Sequence, residues 1–253
     1  MQEMWIGDKK IAYEKHGGGT PIVFIHPPGM GRMVFREQKQ LCDDFMVITI
    51  DLSGHGDSDT RTEKVSIPMY VEEVKHLLNE LDIEEAVICG YSAGGVVAQH
   101  FAFTYPKRTK ALILSGGFPM VSTAVLKMEH ISGIKMLPER SYFLANVISK
   151  SHTKEPFFRE QLKEHMNKAN PLVWKQFYKI SYEYDGRVHL PSLQCPFFLI
   201  YGSRSDYINK YISIYQKYVQ NVQYHIVPNV THQIPTRRWG EFNEVVKDFV
   251  SRL

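Results

Sequence analysis

The chain has 253 residues, of which 43% are hydrophobic and 23% charged, and its formal net charge is +3. This composition is typical of a globular protein, and a small charge without a Lys/Arg-rich run argues against nucleic-acid binding. No apolar stretch approaches the roughly 20 residues that span a bilayer, and no signal-peptide pattern opens the chain. We expect a cytoplasmic monomer or homodimer whose partner is a small-molecule substrate, with no nucleic-acid or membrane partner.

Short β-branched and aromatic runs alternate with helical patterns along most of the chain. Most runs are continuously apolar, which is typical of parallel strands covered on both faces. The predicted strands are a leading hairpin around residues 5 and 10–15, followed by 21–26, 45–52, 86–90, 110–115, 196–201 and 222–227. The predicted helices span 68–81, 93–105, 207–218 and 236–253. This alternation predicts a three-layer α/β fold around a mostly parallel sheet of about eight strands.

The segment 118–190 interrupts the alternation, because its patterns are helical throughout and it is rich in aromatic residues. We expect it to form a helical cap inserted into a core domain made of residues 1–117 and 191–253. The segment holds 11 Lys/Arg against 7 Asp/Glu. This positive surplus either attracts anionic substrates or lies on solvated helix faces.

The strongest local motif is Gly90-Tyr91-Ser92-Ala93-Gly94, which lies between a predicted buried strand and a predicted helix. A nucleophilic serine on a sharp strand-to-helix turn requires this context. The turn is so tight that the residues two before and two after the serine must be small, and Gly90 and Gly94 are. The alternative interpretation is a glycine-rich turn in which Ser92 is an ordinary helix cap.

A serine hydroxyl becomes an effective nucleophile when a base takes its proton and a third group orients that base. Asp206 and His232 follow Ser92 in the chain order serine, acid, histidine, and both lie in loops after predicted strands. We therefore predict a catalytic triad of Ser92, His232 and Asp206. Without Ser92, His232 would be interpreted as a solvated loop histidine and Asp206 as a helix cap.

These motifs, together with Asp51-Leu52-Ser53-Gly54-His55-Gly56-Asp57-Ser58, resemble the α/β-hydrolase superfamily. The resemblance runs from the strand at residue 21 to the terminal helix, and it implies a serine hydrolase without a cofactor. It also implies a variable cap between the sixth and seventh strands, where segment 118–190 stands. The segment 51–58 resembles a structural turn of that superfamily, and its acidic residues and histidine have no recognised metal-ligand spacing, so no metal is predicted.

Two features depart from the superfamily pattern. The family's acid usually stands three residues after the glycine that ends its strand, where this chain has Ser205, so Asp206 comes one residue later. The resemblance also implies an oxyanion hole built from the amide of Ala93 and an amide of the loop after the early strand. In that loop Pro28 occupies the usual donor position and has no N–H. We expect Gly29 or Met30 to supply the second amide.

The predicted reaction is hydrolysis of a carboxylic ester or thioester through an acyl-enzyme. The aromatic cap favours an apolar substrate group that is sheltered from water. The residues predicted to bind the substrate are Tyr91, Pro28, Trp174 and Phe143. Carbon–carbon bond hydrolysis or lyase chemistry would use the same triad. A ligand-binding or signalling protein that turns over slowly on the same fold is a further alternative, which the double proline favours.

Overall fold

The computed structural model describes residues 1–61, 64–204 and 210–253. Its strands are β1 (Gln2–Ile6), β2 (Lys9–His16), β3 (Pro21–Ile25), β4 (Met46–Ile50), β5 (Ala86–Tyr91), β6 (Thr109–Ser115), β7 (Phe197–Gly202) and β8 (Val222–Val227). They form one eight-stranded sheet in the order β1-β2-β4-β3-β5-β6-β7-β8. The first two pairings, β1 with β2 and β2 with β4, are antiparallel, and all the others are parallel. The predicted fold class is therefore confirmed.

The described helices are α1 (Ile67–Glu80), α2 (Gly94–Thr104), α3 (Ala124–Met136), α4 (Ser141–His152), α5 (Pro156–Met166), α6 (Pro171–Glu183), α7 (Tyr211–Tyr218), α8 (Ile234–Arg237) and α9 (Trp239–Val250). Three segments, Arg32–Asp43, Pro106–Arg108 and Leu190–Ser192, are 3₁₀-helical. Within the described ranges, no helix has both the length and the apolar character that crossing a bilayer requires.

Strand β5 illustrates why the apolar runs become buried strands. All six of its residues are buried, and successive side chains point to opposite faces of the sheet. Ile88 packs into the hydrophobic cluster on one face, whereas Val87 and Cys89 pack into the cluster on the other. The sheet is therefore covered on both sides, which explains why the run is continuously apolar rather than alternating.

Helix α1 begins where its sequence provides a start signal. The Ser66 side chain accepts a hydrogen bond from the Met69 amide, and Pro68 stands in the first turn, where a missing N–H costs nothing. Val71, Val74 and Leu78 recur at helical spacing and are buried. This helix packs against α2, which leaves the end of β5.

The structure differs from the sequence-based expectation in two helical regions. Residues Arg32–Asp43, for which no helix was predicted, form a 3₁₀-helical segment that includes a kink at Phe35. The predicted terminal helix 236–253 is divided into α8 and α9 at Arg238, whose φ of −129° is not helical. Helix α7 begins at Tyr211, and the first part of the predicted helix 207–218 lies outside the described residues.

Helices α3 to α6 all lie between β6 and β7 in the chain, in the segment that was expected to form a cap. Several hydrogen bonds attach this segment to the loop after β4, two of them at the start of that loop. The Asn170 amide donates to the Gly54 carbonyl at 2.9 Å, and His165 Nε2 lies 3.0 Å from a carboxylate oxygen of Asp51. The helical segment is thus held against the carboxyl ends of the parallel strands.

Candidate active site

Ser92 stands on a strained turn between β5 and α2. Its φ is +52°, a left-handed conformation that a non-glycine residue adopts at a cost of about 1–3 kcal/mol. The Ser92 amide donates to the Ser115 carbonyl at 2.8 Å, which fixes the turn to the neighbouring strand β6. Ala93 is the N-cap residue of α2, at the end of the helix where the free N–H groups lie.

The glycines on either side of Ser92 are required by close backbone contacts. A Cβ atom on Gly90 would lie 2.5 Å from the Gly95 Cα, and one on Gly94 would lie 2.3 Å from the Ile25 carbonyl oxygen. Neither contact is compatible with a side chain, because both neighbours are backbone atoms. The structure therefore agrees with the prediction that the residues two before and two after Ser92 must be small.

The sheet order places Ser92 beside the proline-containing loop. β3 is hydrogen-bonded to β4 on one side and to β5 on the other. The chain therefore runs from β3 to its neighbour on one side, and the later strand β5 is added on the opposite side. Crevices at such switch points, outside the carboxyl ends of the strands, are where open α/β sheets bind ligands. Here the loop after β3 and the turn after β5 border a cavity of about 300 Å³.

This cavity contains both of the predicted triad residues that the structure describes. Ser92 and His232 line it, together with Ala93, Tyr91, Pro28 and Met30 from the predicted site. Helices α3 and α4 supply the opposite wall, which is mainly apolar. That wall includes Leu126, Gly133, Met136, Leu144, Val147 and Ile148.

The ring of His232 packs against Gly116 at the end of β6. A Cβ atom on Gly116 would lie 2.5 Å from both Nδ1 and Cε1 of His232 but 3.6 Å from Nε2. Nδ1 is buried and has no hydrogen-bond partner among the residues that the structure describes. Burial, together with smaller contributions from His152 and His130, lowers the pKa of His232 to about 3. The imidazole is therefore neutral at neutral pH and able to accept a proton.

Two histidines of the helical segment, His130 and His152, also line the cavity. His152 Nδ1 donates to the Ile148 carbonyl at 2.8 Å, so Nε2 is the acceptor for the Tyr91 hydroxyl at 2.9 Å. Burial lowers the pKa of both histidines, that of His152 to about 4. The Tyr91–His152 hydrogen bond therefore joins the residue before the nucleophile to the end of α4. The sequence did not predict either histidine as a cavity residue, because a helical pattern does not show which face of α3 or α4 lies toward the cavity.

The proline-containing loop forms a tight turn. Met30 donates its amide to the Pro27 carbonyl at 3.3 Å, with Pro28 second in the turn and Gly29, at φ +78°, third. This arrangement matches a type II turn. The Met30 amide is thus used within the turn, whereas the Gly29 amide takes no part in that hydrogen bond. Gly29 and Met30 were the two residues predicted to supply the second amide of the oxyanion hole. Of these, Gly29 is the one whose N–H is not used in the turn.

Four predicted site residues are not placed on the cavity wall. The first is Gly29, although its neighbours Pro28 and Met30 line the cavity. Trp174 is buried, but its indole lies against Gly29, where a Cβ atom would come within 2.0 Å of the ring. It supports the loop rather than lining the cavity. Phe143 lies on α4 with 57% of its surface exposed and is not among the lining residues described. Asp206 lies outside the described residues.

A model of the alpha/beta hydrolase fold family matches residues 20–132. The whole chain also superimposes on a thermophilic esterase from Thermogutta terrifontis, with a TM-score of 0.85, 21% identity, and coverage of 100% of this chain and 99% of that one. For the enol-lactonase of Burkholderia xenovorans LB400 the TM-score is 0.86 at 18% identity, covering 99% and 100%. This protein has the α/β-hydrolase fold.

The curated relatives of this α/β-hydrolase-fold protein match only part of it. An uncharacterized protein of Mycobacterium bovis is 38% identical over 104 residues, which are 41% of this chain and 30% of that protein. A proline iminopeptidase of Heyndrickxia coagulans is 30% identical over 129 residues, 50% of this chain and 44% of that protein. The chain thus spans less than half the length of either relative.

After β4, this α/β-hydrolase-fold protein holds a largely buried ionic cluster. Asp51, Asp57 and His165 bring three potential metal-ligand atoms within 4.8 Å of one another. The guanidinium of Arg32 binds both carboxylates, with Nη2 2.8 Å from Asp57 and Nη1 in a short contact with Asp51. Burial alone would raise the pKa of Asp51, but His165 and Arg32 hold it below its usual value. The position that a cation would take is therefore filled by an arginine.

Proposed function

We propose that this protein is a serine hydrolase that cleaves carboxylic esters or thioesters through an acyl-enzyme, with Ser92 as nucleophile, His232 as base and Asp206 as the orienting acid. The observation that carries the proposal is the joint placement of Ser92 and His232 on one cavity at the switch point of the sheet. A strained turn that presents a serine on the same cavity as a neutral, half-buried histidine has no evident structural purpose.

In the proposed reaction, Ser92 Oγ attacks the carbonyl carbon while His232 Nε2 takes the hydroxyl proton. The carbonyl electron pair moves to oxygen, and the amides of Ala93 and Gly29 bind that oxyanion. Collapse of the tetrahedral intermediate breaks the bond to the leaving group, which takes the proton from Nε2. A water molecule, deprotonated by the same nitrogen, then attacks the acyl-enzyme and releases the acid and Ser92.

The cavity also indicates what kind of substrate it would hold. Its far wall is mainly apolar, and its volume of about 300 Å³ is at the lower end of the range for small-molecule sites. The names of similar proteins, which include an esterase and an enol-lactonase, agree with ester chemistry. We propose a small ester or thioester with an apolar acyl or alcohol part, for which no cofactor is needed.

The test is hydrolysis of p-nitrophenyl esters of increasing acyl length by the wild type and by Ser92→Ala. We expect steady turnover by the wild type and a loss of at least about 10³-fold in kcat without the nucleophile, since removal of a triad serine has cost about 10⁶-fold elsewhere. Because the cavity is small, short acyl chains should give the highest kcat/KM.

Phe143→Ser is the matched control, because it changes an exposed residue away from the cavity and should leave kcat unchanged. Turnover that survives in Ser92→Ala would exclude the proposed nucleophile. A wild type that binds the esters but releases less than one product per protein would instead favour the slow-turnover binding protein.

A further inference from the structure

A second pocket, of about 530 Å³, opens beside the catalytic cavity. It lies between the α4–α5 connection, the loop that carries His232, and the junction of α8 and α9. Its most prominent side chains are four exposed cations, Lys154, Arg204, Arg237 and Arg238. We refer to this site as the basic pocket.

The positive charge of the basic pocket is largely uncompensated by the part of the chain that the structure describes. Its one acidic residue, Glu155, already binds Arg36 at 2.9 Å, and its second carboxylate oxygen caps α5 through the Phe158 amide. Arg204 donates to the Asn229 side chain at 3.2 Å and Arg237 to the Ser151 carbonyl at 2.6 Å, and both acceptors are neutral. Four cations in one concavity, without a described carboxylate partner, create a site that favours an anion.

The basic pocket and the catalytic cavity share two thin walls. Ser151 and His152 line the cavity, and the next two residues, Thr153 and Lys154, line the pocket. On the other side, Thr231 faces the pocket and the following His232 faces the cavity. Since consecutive Cα atoms are about 3.8 Å apart, only one or two residues separate the two spaces.

We infer that the basic pocket binds a phosphate-bearing ligand. Guanidinium groups match phosphate oxygens with paired N–H donors, and the lysine adds a point charge. Several cations balance a group that carries more than one negative charge, and the pocket volume exceeds what a single small ion needs. The phosphate could come from two sources. Either it is part of the substrate, whose ester group then lies at Ser92, or it is part of a separate molecule that binds next to the catalytic cavity.

The binding experiment is a calorimetric titration of the full chain with inorganic pyrophosphate at constant ionic strength. We expect saturable one-site binding with a Kd of about 1 mM or tighter. Trp239 lines the pocket and provides a second signal, because its fluorescence should change with the same midpoint and that change should disappear in Trp239→Phe.

The double variant Lys154→Gln/Arg238→Gln should bind pyrophosphate at least about tenfold more weakly, because two charged donors are lost. Lys107→Gln/Arg252→Gln is the matched control, since it removes the same charge from exposed positions outside the pocket. No saturable binding by the wild type, or equal weakening in both double variants, would overturn the inference.

Ester kinetics separate the two sources of phosphate. If the substrate carries the phosphate, pyrophosphate should leave hydrolysis of an uncharged p-nitrophenyl ester unchanged, and it should raise KM for an acyl thioester whose thiol part is phosphorylated. If the ligand is a separate molecule, pyrophosphate should change kcat for the uncharged ester. The calorimetric result does not depend on catalysis, so failure of the proposed hydrolase and failure of the pocket can be told apart.

Discussion

At the end of β6, Gly116 lies directly against the imidazole of His232, and its φ is +59°. The loop that holds His232 belongs to a different part of the chain, after β8. The position of the base therefore depends on a residue that carries no reactive group. Because the contact is with Cε1 and Nδ1, any side chain at residue 116 would push the ring sideways rather than merely fill space.

We expect Gly116→Ala to lower kcat by about 10²-fold, because a displacement of about 1 Å in a catalytic group has an effect of that size. The measurement is kcat for the best p-nitrophenyl ester. Gly7→Ala is the matched control, since Gly7 has a φ of +62° but nothing within 4 Å of the added Cβ. Both variants should lose some stability through the positive φ, and only Gly116→Ala should lose activity. Equal activity in the two variants would contradict the assigned position of His232.

The pH dependence of activity tests the proposed pairing of Asp206 with His232. The described surroundings lower the pKa of His232 to about 3, mainly through burial. A carboxylate beside Nδ1 would raise that pKa, because it stabilises the imidazolium. Since activity is lost as pH falls through the pKa of the base, the acid limb of kcat/KM should lie at higher pH in the wild type than in Asp206→Asn. We also expect kcat to fall by about 10⁴-fold in that variant.

The double variant Ser205→Asp/Asp206→Asn complements this measurement. It moves the carboxylate to the spacing that the α/β-hydrolase superfamily usually has. Recovery of part of the activity, with the acid limb returning toward the wild-type position, would support a carboxylate at this loop as the partner of His232. An unchanged profile in Asp206→Asn would mean that the acid comes from elsewhere.

At the scale of the elements, the ionic cluster of Arg32, Asp51, Asp57 and His165 joins three parts of the chain. Arg32 begins the 3₁₀-helical segment, Asp51 follows β4, and His165 lies on α5. The backbone amide of Arg32 also donates to Asp51 at 2.6 Å. This cluster ties the helical segment to the sheet through paired groups, of which only Asp57 is partly exposed.

Replacing Asp51 by Asn should lower the free energy of unfolding by about 1.5–3 kcal/mol, because the buried guanidinium of Arg32 loses one carboxylate partner and keeps Asp57 and Glu14. Urea denaturation at pH 7 measures the loss. Asp185→Asn is the control, since the Asp185–Arg187 pair is more than one-third exposed and is expected to contribute less than about 1 kcal/mol. A loss of similar size in the two variants would show that the cluster contributes no more than a surface ion pair.

Element positions were predictable wherever the local sequence determines them. Apolar periodicity located α1 to within a residue at each end, and the glycine spacing around Ser92 predicted the turn. The segment Arg32–Asp43 was missed although Val34, Phe35 and Leu41 recur at helical spacing and are buried. Its turns pack against β4 and against α8 and α9, and these two helices are distant in the sequence. The pairing of His165 with Asp51 joins residues 114 positions apart, and no local signal indicates such a contact.

The substrate-contact residues show the same limit. Tyr91 directly precedes Ser92, and Pro28 lies in the loop after β3. These local sequences fix the positions of both residues, and both line the cavity. Trp174 and Phe143 were chosen as aromatic residues of the helical segment, and the packing of that segment determined where they went. Composition predicts that a cap is aromatic, but tertiary contacts decide which aromatic rings face the cavity.

At the scale of the whole molecule, stability should depend on the ionisation of Glu73. Its carboxylate is buried on α1 and accepts hydrogen bonds from the amide and the hydroxyl of Ser53. Burial raises its pKa to about 7, despite those hydrogen bonds. A raised pKa in the folded state means that stability is greatest below the ordinary pKa of a glutamate and is lost as the pH rises through about 7.

Glu73→Gln removes this titration. Its amide oxygen can still accept from the Ser53 amide, and its NH2 group can donate to the Ser53 hydroxyl oxygen. Relative to the wild type, the variant should gain up to roughly 3 kcal/mol of unfolding free energy between pH 4.5 and 8, at about 1.4 kcal/mol per pKa unit. Urea denaturation across that range measures the difference. Glu80→Gln, at an exposed position of the same helix, provides the baseline. A difference that does not change with pH would contradict the prediction.

The turn formed by Pro27, Pro28, Gly29 and Met30 has a consequence for the timing of charge stabilisation. The Pro27 carbonyl accepts hydrogen bonds from Met30 and from His26 Nδ1, and His26 Nε2 in turn accepts from the Leu52 amide. Two proline rings fix two φ angles in the same stretch. In bulk water, dipoles must rotate toward an oxyanion while it forms. In a turn held this firmly, the amide dipoles are already oriented when the chain folds. Under the proposed function, they therefore need little reorientation when the substrate reacts.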